Sequence, residues 1–343
     1  MKLNKICLVV IVIIVVFVIW LNLRTPRAET TRSMFEEIKL STLDTKLDFE
    51  NEGFKIFNPS ISKTSQQHVM TFRCSNFTNC KSNSLLDRFS NFKKLSKRNF
   101  KSHVVLRFEA SREMRLIDVE LEGSKFDALE DVRPLEFKQS LILTGSARDS
   151  NDRMRMMFGV YDELRNRLSL KKLHIKNSEM LKEQRDEKNW MPFVMNDELM
   201  FVYSVNPHVI LRCEVESGEC VEVHRKQYDM PENIRGGHVA EHEGDYYGVV
   251  HTRVSANSYL TRFYKFDRNF EIVGVTDPFT FSDKPKYDTT QIQFASGILI
   301  EGDDVIVTYG EQDCESKVCV LKLKHLQQQL KAVKARDVGD TKI

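Results

Sequence analysis

Two patterns of apolar and polar positions divide the chain. Residues Ile6 to Leu23 (ICLVVIVIIVVFVIWLNL) are an almost unbroken apolar run, close to the roughly 20 residues that cross a bilayer as a helix. From Phe54 onward the pattern changes to short alternating or apolar runs divided by Asn, Asp, Gly and Ser. These are HVMTFRC (68–74), HVVLRFEA (103–110), MRLIDVEL (114–121), SLILTGSA (140–147), ELMFVYS (198–204), HVILRCEV (208–215), DYYGVVHT (245–252), YLTRFYKF (259–266), DVIVTYG (304–310) and KVCVLKL (317–323). Each has strand length, is rich in β-branched and aromatic residues and is bounded by turn formers. They predict an all-β domain. Only HLQQQLKAVKA (325–335) has convincing helical character, and it is placed to cover a sheet edge or pack beneath the domain.

The strands group into units. A similar opening recurs at FNPSI (57–61), EDVRPLEF (130–137), NWMPFV (189–194), RGGHVAE (235–241) and QFASGIL (293–299), with starts about 45 to 75 residues apart. Four antiparallel strands fit each interval, and five such units closed in a ring predict a five-bladed β-propeller, which limits exposed edges by radial repetition. A β-sandwich has a similar strand count. The propeller is favoured because the polar oddities gather at the unit starts, where the innermost strands meet the central channel. The expected organisation is a cytoplasmic tail (1–5), a signal anchor (6–23), a stem (24–51), the propeller (52–324) and a C-terminal helix and tail (325–343).

Composition narrows the setting. Lys and Arg number 51 against 49 Asp and Glu, so no basic excess points to nucleic acid. The apolar run exceeds a signal-peptide core and no small-x-small site follows it closely, which favours an anchor over a cleaved signal. Lys2 and Lys5 precede it and Arg24 and Arg27 follow it, so flanking charge orients it only weakly. Apart from Cys7, six cysteines fall in close pairs: Cys74/Cys80, Cys213/Cys220 and Cys314/Cys319. Three short-range disulfides are the economical pairing, while zinc lacks its usual Cys and His spacings. Asn76-Phe77-Thr78 is a glycosylation acceptor sequence. Together these predict a single-pass type II membrane glycoprotein facing the lumen of the Golgi or endoplasmic reticulum.

Taken in order, Glu130-Asp131-Val132-Arg133, Lys188-Asn189-Trp190, Gly236-Gly237, Val250-His251 and Tyr309-Gly310-Glu311-Gln312-Asp313 resemble the five-bladed propeller of glycoside hydrolase family 130, the β-mannoside phosphorylases, and the related β-mannosyltransferases. The resemblance covers most of residues 54 to 323. It implies that Asp131 is the general acid, by its match to the Asp of the family's E-D-P-R segment, and that Arg73 binds sugar in the first blade. The chain departs from that segment at Val132, with the proline displaced to Pro134.

Chemistry gives a separate reason to look at the same residues. Glycosidic bond cleavage or formation needs proton transfer at the bridging oxygen while positive charge develops on the sugar, so a carboxyl group in a closed pocket is the minimum equipment. Glu130 and Asp131 occupy neighbouring strand positions, so alternation predicts that only one of them faces the pocket. Where phosphate attacks or a nucleotide diphosphate leaves, cations must hold the anion, and Arg148, Lys188, Arg235, His251 and Arg253 are the candidates. Asn189 would hydrogen-bond a sugar hydroxyl or a backbone group, Trp190 would wall the sugar ring, and Asn58, Arg133, Gly237, Tyr309 and Asp313 complete the expected binding set. Each has a plainer alternative: Trp190 as core, Glu187 and Lys188 as a solvated turn, His251 as a buried core histidine, Gly237 as a bulge, Tyr309 and Asp313 as blade closure.

No P-loop, zincin, nucleophile-elbow or dinucleotide motif occurs, nor the D-x-D of many metal-dependent transferases, so neither a metal nor an organic cofactor is called for. Two classes remain. One is an anchored enzyme moving a mannose-like sugar between a glycan acceptor and a nucleotide sugar or inorganic phosphate, with transferase favoured by location and a phosphorylase or hydrolase of the same fold as the alternative. The other is a non-catalytic glycan-binding propeller.

Overall fold

The protein is represented by a computed structural model that describes residues 29–30, 34–35, 38–45, 54–76, 101–126, 128–176, 186–231, 234–255, 258–282 and 292–336. Five sheets follow one another along the chain. Their inner strands are Lys55–Lys63, Glu130–Phe137, Met191–Met195, Ile234–His242 and Gln293–Glu301, at or beside the five recurring openings. Each inner strand packs against those of both neighbouring blades, the fifth against the first, so the ring is closed. Polar side chains fasten that last joint: Ser60 Oγ donates to the Ser296 carbonyl at 2.7 Å, and Ser296 Oγ and Thr308 Oγ1 both donate to the Pro59 carbonyl at 2.7 Å.

The apolar positions of the alternating strands are buried between blades. Phe193, Val202 and Ile210 of the third blade meet Val250, Tyr264 and Phe266 of the fourth, for example. The run MRLIDVEL is divided. Glu113–Leu116 is the outer strand of the first blade, whereas Asp118–Leu121 crosses to pair in parallel with Arg167–Lys172 of the second.

Residues read as stem also enter the propeller. Lys39–Thr42 pairs antiparallel with Glu315–Lys322 as the outermost strand of the fifth blade. Phe35 is buried, edge-on to Phe263 and Phe279 at centroid distances of 5.8 and 5.5 Å. An early segment thus covers the edge of the last blade, a cheap way to protect an open ladder.

The C-terminal helix is shorter than expected, Leu323–Gln329. Beyond it the chain is extended. Lys331 exchanges two backbone hydrogen bonds with Val275, Ala335 bridges to Tyr228, and Val333 packs on the core between the third and fourth blades. These pairings outweigh the helical propensity of KAVKA. Among the described residues no helix is long and apolar enough to cross a membrane, and the Ile6 to Leu23 run lies outside them.

One of the three expected disulfides is present, Cys213–Cys220. The other two pairings are corrected. Cys74 and Cys319 are buried thiols whose strand positions aim inward, while Cys314 is in a disulfide with a partner outside the described residues, where Cys80 also lies. Asn76 closes the second strand of the first blade, its side-chain oxygen accepting from Lys101 N at 3.0 Å. The Thr78 of its acceptor sequence lies outside the described residues.

Candidate active site

The inner strands do not begin as regular ladder. Asn58, Asp131 and Asn189 have φ of 50°, 52° and 64°, the left-handed region that Asn and Asp tolerate better than other side chains. Register breaks accompany the first two, between Phe57 and Ser60 and opposite Asp131, and recur at Gly236/His238 and Ala295/Gly297, while Asn189 lies just ahead of its strand Met191–Met195. Such interruptions re-aim side chains that a regular strand would send elsewhere.

The consequence is sharpest at Glu130 and Asp131. Alternation predicts opposite faces, yet both line one cavity of about 170 Å³ at this end of the channel, because the left-handed turn at Asp131 breaks the alternation. Both face Arg73, at 3.2 Å from Glu130 and 3.6 Å from Asp131. Asn58 Nδ2 donates to Asp131 Oδ1 at 3.0 Å. Burial pushes the Arg73 guanidinium down, but Glu130, Asp131 and Asp313 outweigh this and leave it raised. Burial raises the Glu130 carboxyl, with Arg73 pulling it back and Asp131 pushing it further up.

The same cavity also gathers Lys188, Asn189, Arg235, His251, Arg253 and Asp313. Among the described residues neither Lys188 nor Arg235 has a hydrogen-bond or ion-pair partner. His251 is 1% exposed with Nδ1 unsatisfied, and burial, helped by the nearby Arg133 and Arg235 charges, pushes it down to about 3. It is therefore a neutral imidazole at ordinary pH. The set offers the acids Glu130, Asp131 and Asp313, the exposed cations Lys188 and Arg235, and a buried neutral imidazole that can donate or accept, all on one cavity.

Five expected contacts are corrected. Arg133 lies under the cavity floor, not in its wall, donating to the Trp190 carbonyl at 3.0 Å and to Asn189 Oδ1 and the Gly236 carbonyl at 3.4 Å. Arg148 is exposed and paired with Asp152. Trp190 is core: it packs on Phe201 and Tyr203, and its Nε1 donates to Glu187, which also accepts from Tyr203. Gly237 is wedged between blades, where a Cβ would come within 2.6 Å of the Ala295 and Val249 carbonyls. Tyr309 stacks on Phe281 at 4.1 Å in the core between the fourth and fifth blades.

The apolar wall expected of Trp190 is supplied instead by Tyr259, Ile292 and Phe294. His251 sits edge-on to Tyr259 and Phe294 at 5.4 and 4.9 Å. Phe294 belongs to the fifth recurring opening, and Tyr259 is the cross-strand partner of Arg253. Both positions carry a signal in the sequence, since one lies in a recurring opening and hairpin pairing sets the other beside a candidate cation.

Known proteins supply context for this geometry. No family model matches the chain. Over 85% of its length it superposes on 96% of a β-1,2-mannobiose phosphorylase from Listeria innocua, with a TM-score of 0.57 and 15% identity. The fold is that of the mannoside phosphorylases. A glycosyl hydrolase from Bacteroides ovatus gives 0.53 at 11% identity over 92% of this chain and 97% of its own. A mannose phosphorylase from Leishmania mexicana, solved with a phosphate ion, gives 0.50 at 13% identity over 87% and 94%. In sequence, β-mannosyltransferase 2 of Komagataella phaffii is 32% identical over 127 residues, which is 34% of this chain and 19% of that protein. β-Mannosyltransferase 3 of the same organism is 27% identical over 125 residues, 33% and 20%. The aligned part is about a fifth of the length of these curated relatives.

Proposed function

We propose that this chain is a mannosyl-transferring enzyme that moves a mannose-like unit between a glycan oxygen and a phosphate-bearing partner. The observation that carries this reading is the meeting of Asp131 with Lys188, Arg235, Arg253 and His251 on one small cavity. The mannosyltransferase and mannose phosphorylase names of its relatives supply the sugar class.

In the synthetic direction the Asp131 carboxylate accepts the proton of the acceptor hydroxyl as that oxygen bonds the sugar C1 and the C1–O bond to phosphate breaks. The phosphate oxygen leaves with the bond pair. In reverse, protonated Asp131 gives its proton to the bridging oxygen as phosphate attacks C1. Lys188 and Arg235 hold the anion by charge-assisted hydrogen bonds, and Arg73 and Asn58 fix the carboxylate. The apolar run Ile6 to Leu23 as signal anchor, in a type II protein facing the secretory lumen, belongs to the same proposal; the Cys213–Cys220 disulfide fits an oxidising compartment.

Residues 29 to 343 incubated with β-mannobiose plus phosphate, or with nucleotide-activated mannose plus a mannoside acceptor, should release mannose phosphate or extend the acceptor. Absence of both removes the enzyme reading and leaves the glycan-binding one, while equal activity of Asp131→Asn removes Asp131 as the acid or base.

A further inference from the structure

Arg133 is 1% exposed, among the largest fully buried side chains of the protein, and no carboxylate lies within ion-pair distance of it among the described residues. Burial pushes its guanidinium down to about 10, so it remains charged. The Asp131 charge supports it from beyond contact distance, its Nε has no hydrogen-bond partner, and its contacts are with neutral oxygens, a costly arrangement that makes the bonds of its two Nη atoms decisive. Here they come from two other blades. Nη1 donates to the Trp190 carbonyl, while Nη2 is shared by Asn189 Oδ1 and the Gly236 carbonyl. Gly236 has no room for a side chain, since a Cβ would lie 2.5 Å from the Asn189 carbonyl and from Met191 Cγ.

This geometry decides which way the Asn189 amide faces. Its oxygen is taken by Arg133 and its backbone is held in the left-handed region at φ 64°. Asn189 itself lines the cavity. With Oδ1 turned to the guanidinium, Nδ2 is the end left for a ligand.

We propose that Arg133 is a positioning residue, which locks the Asn189 side chain so that its amide N–H groups, and not its oxygen, are presented in the cavity to a sugar hydroxyl. The inference rests on the mannosyl-transfer reading for the identity of the ligand, but not for the coupling between the two residues. Lysine in its place supplies one point charge and cannot serve three acceptors in a plane.

Steady-state kinetics on a mannoside substrate test this with Arg133→Lys, Asn189→Ala and the double variant. Each single change should raise KM by about 10-fold with kcat within about threefold, and the double should be no worse than either single. KM effects that multiply in the double variant, or a fall in kcat with KM unchanged, overturn the proposal. Urea unfolding of the same four proteins separates this from failure of the function. If the parent turns over no mannoside the function reading is lost, yet non-additive unfolding midpoints still support the Arg133–Asn189 lock, and additive midpoints refute it.

Discussion

The two mouths of the channel are built from the same five inner strands and both are lined with charge, but they differ in how that charge is satisfied. At the mouth where the strands end, a cavity of about 610 Å³ is lined in part by Lys63, Glu136, Glu241 and Arg268. Lys63 pairs with Glu301 at 3.0 Å, Glu136 accepts from Ser65 N and Oγ at 2.8 and 2.7 Å, Glu241 accepts from Gly244 N at 2.6 Å, and Arg268 Nε donates to the Gly244 carbonyl at 3.2 Å. The smaller cavity where the strands begin keeps Lys188 and Arg235 unpartnered among the described residues. Size alone points to the larger cavity, whereas unpaired cations point to the smaller. Left-handed residues occur at both, for different reasons. Lys138-Gln139 and Asn196-Asp197 are paired positive-φ residues of tight hairpins, the turns that match strand twist, whereas Asn58 and Asp131 stand singly where ladders are interrupted and Asn189 just before its strand begins.

Changes at the two mouths should therefore part company. Asp131→Asn should lower mannosyl turnover by about 100- to 10,000-fold, the range for a lost acid or base, while Glu241→Gln at the far mouth leaves initial rates within about twofold. Lys188→Met or Arg235→Met should weaken inorganic phosphate binding, measured by calorimetry, by about 10- to 100-fold; Lys63→Met should not.

Acid should weaken the whole ring. His208, His238 and His251 are buried, and burial pushes them down to about 3, 4 and 3. Their folded pKa values lie below the unfolded value of 6.5, so the unfolded state binds more protons as pH falls. The stability they allow is complete above pH 6.5 and is lost on descent toward pH 3 to 4. Each costs up to about 1.4 kcal/mol per pH unit in that window. Urea unfolding at pH 7 and pH 5 should show the loss, and His251→Phe should reduce its slope.

The smallest contrast concerns strain. Gln139→Gly in the far hairpin relieves a left-handed side chain and should stabilise by about 0.5 kcal/mol. Asn58→Gly should instead destabilise by about 1 kcal/mol, since the hydrogen bond to Asp131 is lost with the strain. Equal effects in thermal unfolding would deny the two ends their different character.

Strand runs such as ELMFVYS and YLTRFYKF, and the five recurring openings, were legible because alternation and turn residues carry them directly. So were Asp131, Lys188, Arg235, His251 and Arg253 as members of one cavity. What alternation could not carry was anything set by an interruption of the ladder: the joint inward aim of Glu130 and Asp131, and the descent of Arg133 below the floor. Trp190 was misplaced because a tryptophan beside polar residues has the same local sequence whether it walls a ligand or, as here, covers Glu187 in the core. The outer strand Lys39–Thr42 is short and mostly exposed, so it has no apolar pattern of its own, and its partner is more than 270 residues away.

A crystal structure of the protein grown with mannose and inorganic phosphate together tests the assignment of the site most directly. Sugar and anion should be found side by side at the mouth where the inner strands begin, the sugar against Asp131 and Asn189, the phosphate against Lys188 and Arg235. Ligand held only at the Glu136 and Arg268 mouth, or neither ligand bound at millimolar concentration, would contradict it.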